Sequence, residues 1–374
     1  MLRLCRSELH KFFHSRLHGV LLCLLLLFPV LHLVFSLHVD TREHYALLDD
    51  KILNREEAVI LADDLRTRMS GPVQDSWIAA RKQELEHLEK QGVAREDLRY
   101  QTLNQAYWDG VRTMEMRDAL LSDPQIPDIV RRDLQNHTWR YGPYEGWLRR
   151  LQVFEDTAKV YAVLCLFLFG NMFNQESSCD MLELLKSCRK GRRKLACAKL
   201  IVSFTLALAL AAVLYAILSV STALLLDVSH GNTTIMMLRT LHIYTWAQVD
   251  LQAFGLLLLS GVACTLVALL TSVFVKKPAV SLGLGFLFFL LPLLISMDGL
   301  QTSWTSFCPS VFLSFQAMGQ LLITPWFAVL GTVCHRLPVL CIGWCLLCAL
   351  LLPVIIAKHS GIRFCKIMRK IHTN

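Results

Sequence analysis

Apolar residues fall along this chain in blocks. Six blocks are continuous enough to cross a bilayer, for which a helix needs ~20 apolar residues. They cover residues 17–37, 158–173, 200–226, 251–275, 279–297 and 337–357. The first reads HGVLLCLLLLFPVLHLVFSL and runs on into HVDTREHY without a small-residue cleavage pattern. It is therefore expected to be a retained anchor, not a removed leader. Between the first two blocks the pattern changes. REEAVILADDLRTRM, DSWIAARKQELEHLEKQG and YQTLNQAYWDGVRTMEMRDALL return apolar residues at three- and four-residue steps, which predicts amphipathic helices. Gly71-Pro72, Gln91-Gly92 and Asp123-Pro124 punctuate them. No alternation suggests strands. Pro29 and Pro292 predict kinks within spans one and five.

Composition agrees with a membrane protein. The chain is 54% hydrophobic and 18% charged, with mean hydropathy +0.44. A soluble chain of 374 residues needs a more polar surface than this. The net charge of +8 reads as topology, not as affinity for nucleic acid, because lysine and arginine cluster beside particular span ends. Arg3, Arg6, Lys11 and Arg16 lie in the N-terminal segment 1–16. A dense run lies in the loop 174–199, Lys276 and Lys277 link spans four and five, and Lys358, Arg363, Lys366, Arg369 and Lys370 lie in the tail 358–374. All four segments fall on one side if the spans number six. That side is the cytoplasm of a cell whose plasma membrane holds the protein, with both termini inside. The segments 38–157, 227–250 and 298–336 then lie outside. The expected fold class is an all-α polytopic membrane protein, with six transmembrane helices and a helical extracytoplasmic insertion between spans one and two.

Most of the thirteen cysteines lie in or beside apolar blocks, where a free thiol acts as a small hydrophobe. Residues 40–156 contain none, so the insertion is expected to fold without disulfides. A Cys308–Cys334 bridge is left open. Cys341, Cys345 and Cys348 share a face of span six and read as small packing residues. Asp250, at the outer start of span four, reads as an interfacial carboxylate with a buried functional role as the alternative. Asn136-His-Thr and Asn232-Thr-Thr match the glycosylation pattern and read as chance matches. Neither H-E-x-x-H nor G-x-S-x-G occurs, and no enzymatic site is legible within a span.

The most unusual stretch is GNMFNQESSCDMLELLKSCRKGRRKLACAKLIVSF, from Gly170 to Phe204. Glu176, Asp180 and Glu183 occupy its first half; Lys186, Arg189, Lys190, Arg192, Arg193, Lys194 and Lys199 fill its second. Met181, Leu182, Leu184 and Leu185 give the intervening segment a partly apolar face. Acidic residues early and basic residues late both suit a helix dipole. Such a helix can dock in a groove on a cytosolic partner or lie on anionic lipid. Composition alone leans toward the lipid surface.

The order Phe173, Glu176, Asp180, Leu184-Leu185, Gly191-Arg192, Leu195, Lys199 resembles a motif of ABC-2 type transporter permeases. The N-terminal SELHKFFHSRLHGVLL, with Glu8, Leu9 and Lys11, is similar to that family's amphipathic connecting helix. The specific motif covers about thirty residues, and the architectural likeness covers the chain. Cys179 stands where the family often has glycine, and the insertion is larger than in minimal members. The resemblance implies a permease subunit, expected to export. Glu176, Asp180, Leu184, Leu185, Gly191, Arg192 and Lys199 would form its ATPase-coupling element, and Glu8 and Lys11 would belong to the connecting helix. It implies a separate cytoplasmic ATPase subunit, since no G-x-x-x-x-G-K-[ST] loop is present and the chain itself needs no cofactor. It also implies a second permease, identical or related, because six spans are half of the usual twelve. The competing expectation is a membrane sensor or scaffold whose insertion binds a ligand without transport.

Overall fold

The computed structural model describes residues 1–40, 46–49, 51–124, 126–174, 189–226, 228, 230–234, 244–275, 277–297, 308–312, 326–329 and 332–360. The chain opens with α1 (Leu2–His14) and α2 (Arg16–Asp40), followed by a hairpin of β1 (Ala46–Leu48) and β2 (Lys51–Leu53). Next come α3 (Arg55–Arg68), β3 (Gly71–Pro72), α4 (Asp75–Lys90), α5 (Leu98–Ser122), α6 (Asp128–Asn136) and β4 (Arg140–Tyr141). The remaining helices are α7 (Glu145–Phe169), α8 (Arg189–Leu225), α9 (Trp246–Phe274), α10 (Pro278–Met297) and the short α11 (Pro309–Phe312). A hairpin of β5 (Trp326–Val329) and β6 (Thr332–His335) precedes α12 (Arg336–Ser360).

Among the described residues the protein is mostly helical, and four helices are long and apolar enough to cross a membrane: Arg16–Leu37, Arg193–Leu225, Trp246–Phe274 and Pro338–His359. A shorter apolar helix runs from Pro278 to Pro292. Exposed leucines on α2 (Leu17, Leu24, Leu31), α10 (Leu287, Leu294) and α12 (Leu346, Leu350) would be untenable as a continuous surface in water. They suit lipid. Pro29, Pro292 and Pro353 all lie inside helices.

α7, α8 and α9 form the centre of the bundle, with α2, α10 and α12 around them and α1 packed across the starts of α2 and α8. Their contact is dense because small residues line it: Ala158, Ala162, Ala207, Ala211, Ala253 and Ala263 are all buried. At Gly261 the approach is closest. A Cβ there would stand 2.1 Å from the Tyr161 hydroxyl. That hydroxyl crosses from α7 past α9 and donates to the Ala207 carbonyl of α8 at 2.7 Å.

The insertion has a core of its own, built from Met69, Val73, Leu85, Leu103, Ala106, Met114, Val130, Leu134, Trp139 and Tyr141. The three helices expected from its periodicity are present as α3, α4 and α5. Asn54 and Glu57 close a capping box at the start of α3. Gly92, at φ 73°, ends α4 in the left-handed conformation that glycine adopts without steric cost. Asp97 caps α5 by accepting from the Arg99 amide and also accepts from the Asp49 amide, which pins the β1–β2 turn onto the helix.

Three features depart from the expected pattern. The three antiparallel pairs, β1–β2, β3–β4 and β5–β6, are too short to show an alternation in sequence. Helix α6 was not expected; its nine residues give too little periodicity. The helix α7, which holds most of the block 158–173, begins at Glu145, well before residue 158, because its first turns carry charge that interrupts the apolar block without interrupting the helix. Likewise α8 begins at Arg189, before residue 200.

Candidate functional site

Because α8 runs antiparallel to α7 and α9, the start of α8 meets the ends of the other two. Each end of this three-helix core carries a buried ion pair.

At the first end, Glu8 of α1 and Lys199 of α8 are 4% and 3% exposed. The Lys199 ammonium lies 3.4 Å from Glu8 Oε2 and donates to the Met172 carbonyl at 2.6 Å, just past the end of α7. Lys11 binds the other carboxylate oxygen of Glu8 at 2.7 Å. The Phe173 ring lies 5.7 Å from the Lys199 ammonium, and the Phe173 amide donates to Ser272 of α9 at 3.0 Å. Phe12 of α1 stacks on Phe169 with ring centres 6.0 Å apart. Burial alone would raise the pKa of Glu8. Lys199 and Lys11 outweigh it, so the carboxyl is held below its usual range and stays ionised at neutral pH. One lysine thus fastens the amphipathic N-terminal helix, the end of α7 and the base of α8 together.

At the opposite end, Arg150 of α7 and Asp250 of α9 are 4% and 6% exposed. They form a bidentate pair, Nε to Oδ1 at 2.7 Å and an Nη to Oδ2 at 2.8 Å. Arg150 also donates to Ser219 at 2.9 Å and to Thr222, both on α8. Tyr215 of α8 donates to Asp250 and stacks on Phe254, with centroids 4.4 Å apart. Asp250 is therefore not the interfacial carboxylate the sequence suggested. It is buried because Arg150, assigned by sequence to the insertion, comes from α7, the same helix that carries the apolar residues from 158 on.

The two clusters are separated by a nearly constant distance. At a rise of ~1.5 Å per residue, Lys199 to Thr222 spans ~34 Å along α8, and Asp250 to Ser272 spans ~33 Å along α9. The hydrocarbon core of a bilayer is ~30 Å thick. The polar groups thus lie at two levels that fit its two faces.

The insertion and the loop at 230–234 sit on the Arg150 end. Thr234 and Arg140 exchange hydrogen bonds of 2.8 and 3.0 Å. The Tyr144 hydroxyl accepts from Arg66 at 3.0 Å and from Gln105 at 2.9 Å, and its ring stacks on Trp246 at 6.5 Å. Burial raises the Tyr144 pKa to about 12, so it stays a neutral hydrogen-bonding group. The open Cys308–Cys334 bridge falls on Cys334, whose side chain lies outside the described residues.

Of the residues singled out from sequence, Glu8, Lys11 and Lys199 come together. Gly191 and Arg192 lie in the first turn of α8. Glu176, Asp180, Leu184 and Leu185 lie outside the described residues. Sequence reasoning missed Arg150. Trp147, Leu151, Phe154, Ala158 and Tyr161 continue one apolar face across the expected boundary, and that continuity was the available signal.

The fold defines an all-α, multi-pass membrane protein. Comparison with protein-family models, with curated proteins and with solved structures finds no match.

Proposed function

We propose that this protein is the membrane-spanning permease subunit of an ABC exporter in the plasma membrane, with six spans and both termini in the cytoplasm. A separate ATPase subunit drives it, and a second permease, identical or related, completes the pathway. The observation that carries this reading is the Lys199 junction. Lys199 holds Glu8 and the Met172 carbonyl, so α1, the end of α7 and the start of α8 share one fastening point. The described residues flanking the charged segment 175–188 are Asn174, two residues past Met172, and Arg189, the first residue of α8. A partner that grips this segment displaces two spans and the N-terminal helix as a unit, which is what rigid-body coupling needs. Within this reading, Glu176, Asp180, Leu184, Leu185 and Arg192 contact the ATPase, and Glu8 and Lys199 carry its movement to the spans.

The α7 helix and the shorter Pro278–Pro292 helix supply the two spans beyond the four long ones. The α7 helix is too charged to stand out by composition, and the separation of the two polar levels supports counting it. A second reading, a sensor or scaffold, draws on one observation. The insertion is latched to the bundle through Arg66, Gln105 and Tyr144, and could pass on a ligand's effect without transport.

Co-reconstitution separates the two. With an ATPase partner in proteoliposomes, Lys199→Met is expected to leave ATPase binding intact while abolishing transport-linked hydrolysis. If Lys199→Met leaves coupling unchanged, the junction does not carry the function. If no ATPase binds the unaltered chain, the sensor reading is the better one.

A further inference from the structure

A third set of charges lies between the two polar levels, on the face where α2 meets α7. His32 Nε2 of α2 is 3.0 Å from Asp156 Oδ2 of α7. Lys159, on the same face of α7, pairs with Glu155 and lies 3.9 Å from Asp156. Along the helix, Asp156 is ~9 Å and Lys159 ~14 Å beyond Arg150 toward the other end. The cluster therefore sits about a third of the way through the slab. It is not shut in: Asp156 is 47% exposed, Lys159 30% and His32 29%. His32 Nδ1, by contrast, is buried and has no hydrogen-bond partner.

Charges at this depth are costly, and they persist where they pair, line a wet cleft or meet a polar ligand. Two carboxylates, Glu155 and Asp156, face one ammonium, Lys159, with the His32 imidazole beside them. Carboxylates outnumber ammonium groups by one, and Asp156 is the more exposed of the two. Next to it, Phe28, Leu31, Val34 and Phe35 of α2 line an apolar hollow whose single polar contributor is His32. The Phe28 ring lies against the imidazole, with centroids 5.5 Å apart. An apolar wall thus leads directly to an anionic point within the membrane.

We infer that the α2 hollow beside Asp156 is a binding site for a cationic amphiphile, taken sideways from the bilayer. A protonated amine head meets Asp156, and the tail lies along Phe28, Leu31 and Phe35. Charge sets this choice: an anionic head would face two carboxylates, and a wholly apolar ligand would leave the exposed Asp156 carboxylate without a cationic head to meet it. The inference rests on α2 and α7 crossing the membrane, not on ATP-driven transport, so its test is one of binding by the chain alone.

The test uses the full chain in phosphatidylcholine nanodiscs, with a fluorescent long-chain primary amine as probe and an alkyl sulfate of equal length as control. The amine is expected to bind saturably and the sulfate not. Asp156→Asn is expected to weaken amine binding at least ~10-fold, the scale of one lost charge contact. Lys159→Gln removes the competing ammonium and is expected to strengthen binding several-fold. A merely structural cluster would give weaker binding in both variants, or none in either. Competition by phosphatidylethanolamine in the disc would support a lipid source for the same amine chemistry. Its absence, with saturable probe binding, would support a foreign amphiphile. Unsaturable partitioning that ignores both substitutions, or equal binding of the sulfate, overturns the inference.

Discussion

Arg150–Asp250 and Glu8–Lys199 are both buried ion pairs, but they are closed to different degrees. Arg150 uses four of its donor contacts on Asp250, Ser219 and Thr222, and Asp250 receives Tyr215 as well. Every contact is between side chains on α7, α8 and α9, and the bidentate geometry fixes their register. Glu8 and Lys199 meet at 3.4 Å, and the shortest bond of Lys199 goes to a backbone carbonyl beyond a helix end. Their third member, Lys11, is 59% exposed. The first pair is a lock. The second is a joint, holding α1, the end of α7 and the start of α8 through a longer ion pair with one member open to solvent. A bundle fixed at one end and jointed at the other is suited to transmit a push applied at the jointed end.

The largest expected effect breaks the lock. Asp250→Ala leaves a buried guanidinium uncompensated and is expected to cost about 3–5 kcal/mol, read as a collapse of folded yield and detergent stability. Combining it with Arg150→Met should recover most of that loss, since an apolar replacement of both partners removes the unpaired charge. If the single variant is as stable as the original, the network does not hold the Arg150 end of the bundle together.

The joint should respond less in stability and more in coupling. Glu8→Gln is expected to cost about 1.5–3 kcal/mol, the range for hydrogen bonds to charged groups, measured by thermal unfolding in detergent. Acid should act in the same direction. The Glu8 carboxyl is held below its usual pKa of 4.5, so its contribution is complete above that value and is lost as pH falls through the lower folded value. Glu8→Gln should show none of that acid dependence.

A third substitution tests the packing between lock and joint. Gly261→Val places side-chain atoms where the Tyr161 hydroxyl lies and is expected to cost about 1–3 kcal/mol. Tyr161→Phe in the same background should recover part of this by removing the clashing hydroxyl. The smallest effect belongs to the insertion. Burial holds the His137 pKa below 6.5, so stability is full above that pH and falls modestly below it, as acid charges the imidazole of the unfolded chain before the buried ring. His137→Asn should flatten the pH profile of insertion unfolding between pH 7.5 and 5.5.

Periodicity made α3, α4 and α5 legible, and apolar runs made α2, α9, α10 and α12 legible, because in each the pattern persists over many turns. It failed where charge and helix coincide. In α7, Glu145, Arg149, Arg150, Glu155, Asp156 and Lys159 look like loop composition, yet Arg150 is neutralised by Asp250, a residue 100 positions away. No local window contains both halves of such a pair. The joint was half legible: Glu8, Lys11 and Lys199 stood out by motif resemblance, while the Met172 carbonyl is a backbone group that sequence does not mark. The insertion's latch was not legible either, since Arg66, Gln105 and Tyr144 are ordinary surface types brought together by tertiary packing.

The central claim is that the jointed end receives a push from an ATPase. Affinity purification of the full-length chain from its native membranes, followed by identification of stoichiometric partners and assay of ATP hydrolysis, tests it most directly. The account predicts an ATP-hydrolysing subunit in near-equal amount, retained by Lys199→Met but no longer stimulated by transport in reconstituted membranes. Recovery of the chain with no nucleotide-hydrolysing partner, in membranes where it is folded and abundant, would contradict it.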